Sequence, residues 1–288
     1  MTRRADLCLS IAVGVTLLAC AEILGFEQGR PSSAGGASGG PTSSTTTSAG
    51  GAQGNGGGGH AAGGQSAVYA REVLADGPVL YWRVNEMTGI TALDASGSGN
   101  DGTYKGGVQL ARPGAIAGDP DTAAGFDAGA AVDGGMIFDF DGTIPYTLEV
   151  WLRPTSIDTE SRYLFNKEIT DAGGRQQYGV YVNSQVGLAF ERWIDSGEQT
   201  LTASAPPLDV YTYIAGTYDG TVLRLFVNAV SVGTLTDARA AAPKAVPFFV
   251  GIRSLYSGGF EGDIDEVAVY DKALAQERIQ AHYDAATR

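Results

Sequence analysis

Apolar and polar residues alternate along several short stretches of the chain. In YTLEVWLRP (146–154), Leu148, Val150 and Leu152 fall on one side and Thr147, Glu149, Trp151 and Arg153 on the other. A period of two belongs to a β-strand whose faces meet different surroundings. QYGVYV (177–182), VGLAFERW (186–193) and YTYIAGTYD (211–219) repeat the theme, and TVLRLFVN (221–228) sets Val222, Arg224 and Phe226 against Leu223, Leu225 and Val227. Between the last two runs, Tyr218-Asp219-Gly220 reads as a hairpin turn, because Asp-Gly accepts positive φ. Helical spacing is confined to AVYAREVLAD (67–76) and LAQERIQAHYDAA (274–286). Evenly spaced short strands over roughly 220 residues predict an all-β, two-sheet antiparallel sandwich or jelly roll, with short helices at its start and end.

The first 66 residues follow other rules. Arg3 and Arg4 precede an apolar run, Leu7 to Leu18, that is too short to span a bilayer comfortably. The run ends in LLAC, Leu17 to Cys20, which resembles a bacterial lipobox. That resemblance implies a signal peptide over residues 1–20, cleaved before Cys20, and lipidation of Cys20. An ordinary secretory signal or an uncleaved anchor are the alternatives. Residues 21–66 are rich in Gly, Ser and Thr, with almost no apolar side chains beyond the first few positions. Such a segment cannot bury enough surface to offset its ordering entropy and reads as a flexible tether, spanning about 35 Å by random-coil scaling. His60 stands alone in it and reads as solvated. The expected destination is the bacterial cell envelope, with the membrane reached only through the lipid, or the exterior.

Composition narrows the chemistry. Net charge is −13, and the only cysteines are Cys8 and Cys20. So acidic a chain is a poor partner for nucleic acid, which calls for clustered Lys and Arg. The globular region, 67–288, has no disulfide and no cysteine nucleophile. Its one histidine, His282, lies in the closing helical stretch and reads as packing or capping. No GxSxG elbow accompanies it, so a Ser-His-Asp triad is not indicated.

Carboxylates remain. FEGDIDEVAVYDKAL (260–274) is rich in them, with Glu261, Asp263 and Asp265 alternating. Extended from Ile264 to Tyr270, the strand would place Asp265 on one face with Val267 and Val269, pointing between the sheets. A buried carboxylate pairs, protonates or binds a metal, so this strand reads as architectural and no catalytic residue is assigned. Glu149 and Glu191 are further carboxylates for a glycosidase pair, but nothing selects one. DASGSGND (94–101) offers closely spaced oxygens between glycines, suited to a hard cation or to a plain turn. Tyr181, Arg192 and Trp193, near a predicted hairpin, are the candidate ligand-binding residues, since sugars are held by aromatic faces and a few polar groups.

Five segments in order resemble a LamG-like jelly-roll domain of the concanavalin A-like lectin/glucanase superfamily. They are LYWRVNEMTGITALDASGSGNDGTY (80–104), GAIAGDPDTAAGFDAG (114–129), YTLEVWLRP, YTYIAGTYDGTVLRLFVNAVSVG (211–233) and FEGDIDEVAVYDKALAQERIQAHY (260–283). Tyr211 stands where the family usually has tryptophan, Ala229 where it has glycine, and Ala275 and Arg278 where it has a capping box. The resemblance implies a structural calcium with Asp265 as a ligand; Glu86, Asp94 and Asn100 are the other candidate metal ligands. It also implies a binding or adhesion module for a glycan or a surface protein. A glycoside hydrolase or lyase on the same scaffold, and a non-catalytic structural or protein-interaction component, are the alternatives.

Overall fold

The computed structural model describes residues 64–167, 177–194, 197–241, 246–253 and 258–288. The leader, Cys20, His60 and the tether up to residue 63 lie outside the described residues. Helix α1 (Gly64–Ala75) opens the domain, followed by β1 (Leu80–Trp82), β2 (Thr91–Ala92), β3 (Gly102–Lys105), β4 (Gln109–Pro113), β5 (Thr122–Phe126) and β6 (Ala131–Asp133). Then come β7 (Tyr146–Pro154), β8 (Arg162–Lys167), β9 (Tyr178–Asn183), β10 (Gly187–Ile194) and β11 (Gly197–Ala203). The last are β12 (Thr212–Tyr218), β13 (Val222–Val227), β14 (Val230–Thr236), β15 (Phe248–Val250), β16 (Gly262–Tyr270) and α2 (Gln276–Thr287).

The strands make two antiparallel sheets, the jelly-roll sandwich that the alternation predicts. One runs β14-β13-β12-β7-β16-β5-β4, with β1 also paired to β16; the other runs β11-β10-β9-β8-β15-β6-β3-β2. Leu148, Val150 and Leu152 of β7 face inward, with Ile264, Val267 and Val269 of β16, against Leu164, Val180, Val182, Leu188, Phe190 and Phe248 of the second sheet. Asp219 closes the β12–β13 hairpin by accepting the N–H groups of Thr221 and Val222 on Oδ1, while Gly220 takes φ 97°.

The outer face of the first sheet is also dry. A second apolar cluster gathers Trp151, Tyr213, Ala268 and Tyr270 beneath Tyr69 and Val73 of α1 and Ile279 and Ala285 of α2. The polar side of β7 from Thr147 to Trp151 is therefore buried, and Glu149 has no exposure at all. It is met by His282, which is equally buried: Nδ1 lies 2.9 Å from Glu149 Oε2, and Nε2 lies 2.9 Å from Asp76 Oδ2 at the end of α1. The Tyr69 hydroxyl donates to Glu149 at 3.2 Å, and Arg278 reaches Asp76 at 2.7 Å and Glu72 at 3.0 Å. One histidine thus ties both helices to the middle of the sheet. α2 starts without a side-chain cap at Ala275, so its placement rests on this ionic tie and its apolar face.

Burial alone would depress the His282 pKa, but Glu149 and Asp76 outweigh it and hold the imidazole above its usual 6.5. A folded-state pKa above the unfolded one gives stability that is complete below about pH 6.5 and fades as pH rises through the raised value. His282→Gln should cost about 3 kcal/mol at the acid end, where a buried ion pair is broken. The gap to the parent should narrow as pH rises above about 6.5 in thermal or urea unfolding. Parallel stability–pH curves would refute an ionised His282.

Candidate functional site

The acids of β16 are arranged by one extra residue. Asp265 pairs with Trp151 and Ala268 with Glu149, so three steps along β16 match two along β7. Glu266 absorbs the surplus with φ 50°, a β-bulge. The bulge overturns the expectation that Asp265 shares a face with Val267 and Val269. The valines do point between the sheets, but Asp263, Asp265 and Glu266 all lie on the outer side of the first sheet, where Asp265 stands opposite Trp151 and Asp263 opposite Arg153.

Each acid is then met differently. Glu261 lies 3.3 Å from Arg162. Asp263 accepts from Arg112 Nε at 3.1 Å and from the Arg153 guanidinium, with Nε at 2.8 Å. Asp265 is 1% exposed and, among the described residues, accepts only the Ala115 N–H, at 2.7 Å on Oδ2. Glu266, fully buried, receives the Tyr81 hydroxyl and Arg83, whose Nη2 is 3.1 Å away. Glu261, Asp263 and Asp265 therefore do not share one solvent-filled trench.

A carboxylate cluster does form around Glu266. Asp119 and Asp121, from the turn before β5, each bring an oxygen within 4.8 Å of the others and of Glu266. Arg83 lies among them, 3.5 Å from Asp119 and in contact with Asp121. Asp265 borders the group, and its charge is felt with theirs. Burial pushes the Glu266 carboxyl up to about 7 although Arg83 and Tyr81 pull it down. Burial, then the Glu266 charge, also raises Asp265, against the Ala115 N–H. Asp119 Oδ2 and Asp121 Oδ2 are the oxygens that face Arg83, and Asp265 Oδ1 is buried without a hydrogen-bond partner among the described residues.

Glu86, Asp94 and Asn100 stand apart from this cluster, in the segment around β2 and β3. Asp94 Oδ1 accepts from the N–H groups of Tyr81 and Ser96, and Oδ2 from that of Asn100. Burial works against ionising Asp94, but the Ser96 hydroxyl and these N–H groups hold its carboxyl below the usual range. The Asn100 amide donates to Val79 O, while Glu86 receives Leu93 N–H and the Tyr104 hydroxyl. Their polar atoms organise a loop. Asp119 and Asp121, the residues that converge with Glu266, escaped sequence reasoning. Their only local sign is a pair of acids flanking Pro120 in GDPD.

The three candidate ligand residues separate across β9 and β10. Tyr181 and Trp193 are half-buried on the outer face of the second sheet. Arg192 is not with them: neighbours on a strand point to opposite faces. It is 1% exposed, pairs with Asp237 at 2.9 Å, donates to Gly142 O and Arg239 O, and lies 4.4 Å over the Tyr218 ring. Glu191 occupies the row between Tyr181 and Trp193 instead, accepting the Tyr163 hydroxyl at 3.0 Å. Tyr163 and Tyr181 pack at 5.1 Å, and the Arg253 guanidinium covers Tyr163 at 5.8 Å. Gly179 is opposite Glu191, and a Cβ there would press on Tyr163 and Glu191 at 3.0 and 3.1 Å, so the glycine lets the row close up. Tyr181 and Trp193 are four residues apart along the strand direction, about 13 Å by strand rise.

Comparison with known proteins agrees with this architecture. Among solved structures, the chain is similar to the binding domain of Paraclostridial Mosquitocidal Protein 1, with TM-score 0.57, 15% identity, and coverage of 74% of this chain and 53% of that one. It is similar to domain 4 of an extracellular arabinanase from Geobacillus stearothermophilus, solved with arabinotriose, with TM-score 0.54, 16% identity, and coverage of 73% and 98%. It also resembles the binding domain of botulinum neurotoxin DC, solved with SialylT, with TM-score 0.57, 12% identity, and coverage of 74% and 52%. The chain spans about half the length of the two toxin domains, and at these identities the likeness establishes the fold. No curated protein sequence matches. The family described as the concanavalin A-like lectin/glucanases superfamily matches residues 125–280, more than half of the chain. The chain belongs to that superfamily.

Proposed function

We propose that the domain is a non-catalytic carbohydrate-binding module, carried through Cys20 and the glycine-rich tether on the bacterial envelope. The observation that carries this reading is the Tyr181–Glu191–Trp193 row on the outer face of the second sheet. Two aromatic faces about 13 Å apart suit stacking on two sugar rings, and the buried Glu191 between them holds the Tyr163 hydroxyl beside Tyr181. The arabinanase domain and the neurotoxin domain, solved with arabinotriose and SialylT, support a glycan as the ligand class. Binding is favoured over hydrolysis because the acids of β16 are engaged by arginines, by a backbone N–H and by burial, and Glu149 lies under the helices. The anchor rests on the lipobox-like LLAC and the tether composition.

We also assign a structural calcium to the Asp119–Asp121–Glu266 group, with Asp265 beside it. An all-oxygen donor set suits this cation. Asp265 Oδ1 is buried without a hydrogen-bond partner among the described residues, Asp119, Asp121 and Glu266 all lean on Arg83, and four carboxylates exceed its single charge. A bound calcium would supply the missing positive charge and pin the turn before β5 to β16.

Two measurements check these readings. In calorimetric titration with arabinotriose and a sialylated trisaccharide, Tyr181→Ala and Trp193→Ala should each weaken binding of whichever sugar binds about tenfold, at unchanged Tm. Parent-like affinity in both variants would remove the row from the site, and steady release of reducing ends would restore the hydrolase. Separately, calcium at about 100 times its Kd should raise Tm by about 5 °C or more, and Asp119→Asn with Asp121→Asn should abolish the rise. A parent Tm indifferent to calcium and to chelator would mean that Arg83 and protons neutralise the cluster by themselves.

A further inference from the structure

The outer face of the first sheet is not wholly used by the helices. Beside their apolar cluster, one row crosses the sheet in register: Gln109 of β4 pairs with Gly125 of β5, Gly125 with Asp263 of β16, and Asp263 with Arg153 of β7. Tyr211, just before β12, ends the row. Its hydroxyl donates to Pro113 O at 2.6 Å, and the Arg153 guanidinium lies 5.6 Å over its ring.

Two guanidiniums here share one carboxylate. Asp263 is 2% exposed, while the side chains of Arg112 and Arg153 are 41% and 22% exposed. Arg112 holds Asp263 through Nε, and its two Nη nitrogens have no partner among the described residues. One positive charge is left over at this spot, on a chain whose net charge is −13. Of the acids nearby, Asp265 is buried on the Ala115 N–H, and Glu261 turns to Arg162, which it shares with Asp158 and Glu160. Alongside lies a cavity of about 160 Å³ lined by Gln109, Arg112, Gly125, Thr155 and Asp263. Its floor is flat for a reason. A Cβ at Gly125 would press on Arg112 Cγ and Cδ at 3.2 and 3.3 Å, and one at Gly262, where φ is 147°, would come within 2.2 Å of Arg153 O.

We propose that this row is a second ligand site, which takes the carboxylate of an acidic saccharide. A planar carboxylate matches the free edge of the Arg112 guanidinium, a geometry that lysine cannot offer. Gln109 and Thr155 present polar groups to sugar hydroxyls, and the open cavity has room for part of one sugar unit. The buried Asp263 fixes both arginines in place, so little side-chain entropy is lost when the ligand arrives.

The test is calorimetric titration of the parent chain with trigalacturonate and with its methyl ester, which differ only in the carboxylates. The acid should bind at least tenfold more tightly. Arg112→Gln should lose that preference at unchanged Tm, because Arg153 still pairs with Asp263. Arg112→Lys should recover only part of it, and Gln109→Ala, which disturbs no ion pair, should weaken the acid several-fold. Tyr181→Ala and Trp193→Ala should leave acid binding intact, which separates this site from the row on the second sheet. Absence of acid binding, equal binding of acid and ester, or parent-like binding by both Arg112→Gln and Gln109→Ala would overturn the proposal. Sulfate binding as tightly as trigalacturonate would do so too, by reducing the site to a general anion hole.

Discussion

All nine residues of β16 are buried, and three of them are the acids Asp263, Asp265 and Glu266. A charge withdrawn from water is tolerated only with a partner, so every neighbour of this strand is constrained by what it must supply. Arg112 and Arg153 serve Asp263, Arg83 and Tyr81 serve Glu266, and the Ala115 N–H serves Asp265. The bulge at Glu266 makes the arrangement workable. Without the extra residue, keeping Val267 and Val269 inward would turn Asp265 into the apolar space between the sheets. With it, both valines stay in the core and both acids turn outward.

The same constraint divides labour between the sheets. The first sheet spends its outer face on closure: helices cover Trp151, Tyr213 and Tyr270, while His282 answers the charge of Glu149. A ligand surface there survives only at the margin, around Arg112. The second sheet has no helix among the described residues packed on its outer face, so Tyr181 and Trp193 keep part of their surface. Arg192, one residue from Trp193, shows how sharp the division is. It spends its charge on Asp237 inside the sandwich while its neighbour faces out.

Much of the fold was legible in the sequence. The alternation in YTLEVWLRP, the Asp219-Gly220 turn and the two terminal helices all correspond to observed elements, because each depends on neighbouring residues alone. The site was less legible. Alternation extrapolated through β16 fails at Glu266, since nothing local announces a bulge, and every residue before it changes face relative to those after. Asp119 and Asp121 meet Glu266 only through long-range pairing of β5 with β16. Asp94 looks like a ligand in sequence because the residues that wrap a cation also wrap backbone N–H groups, and here the N–H groups of Tyr81, Ser96 and Asn100 take its oxygens.

Charge also decides how the two proposed surfaces would work. A chain of net charge −13 repels acidic glycans at long range, so steering cannot bring them to Arg112. The attraction there is a contact interaction, a fork of donors fixed by a buried acid, and it acts within a screening length of about 8 Å at physiological salt. Added salt would first relieve the long-range repulsion and only at higher concentration weaken the pair itself. The Tyr181–Trp193 row works through stacking and hydrogen bonds, which salt hardly touches when the sugar is neutral. Two surfaces on opposite sheets, one sensitive to charge and one indifferent to it, would let the domain hold a mixed polysaccharide at two points, and the linkage would raise its retention beyond either contact alone.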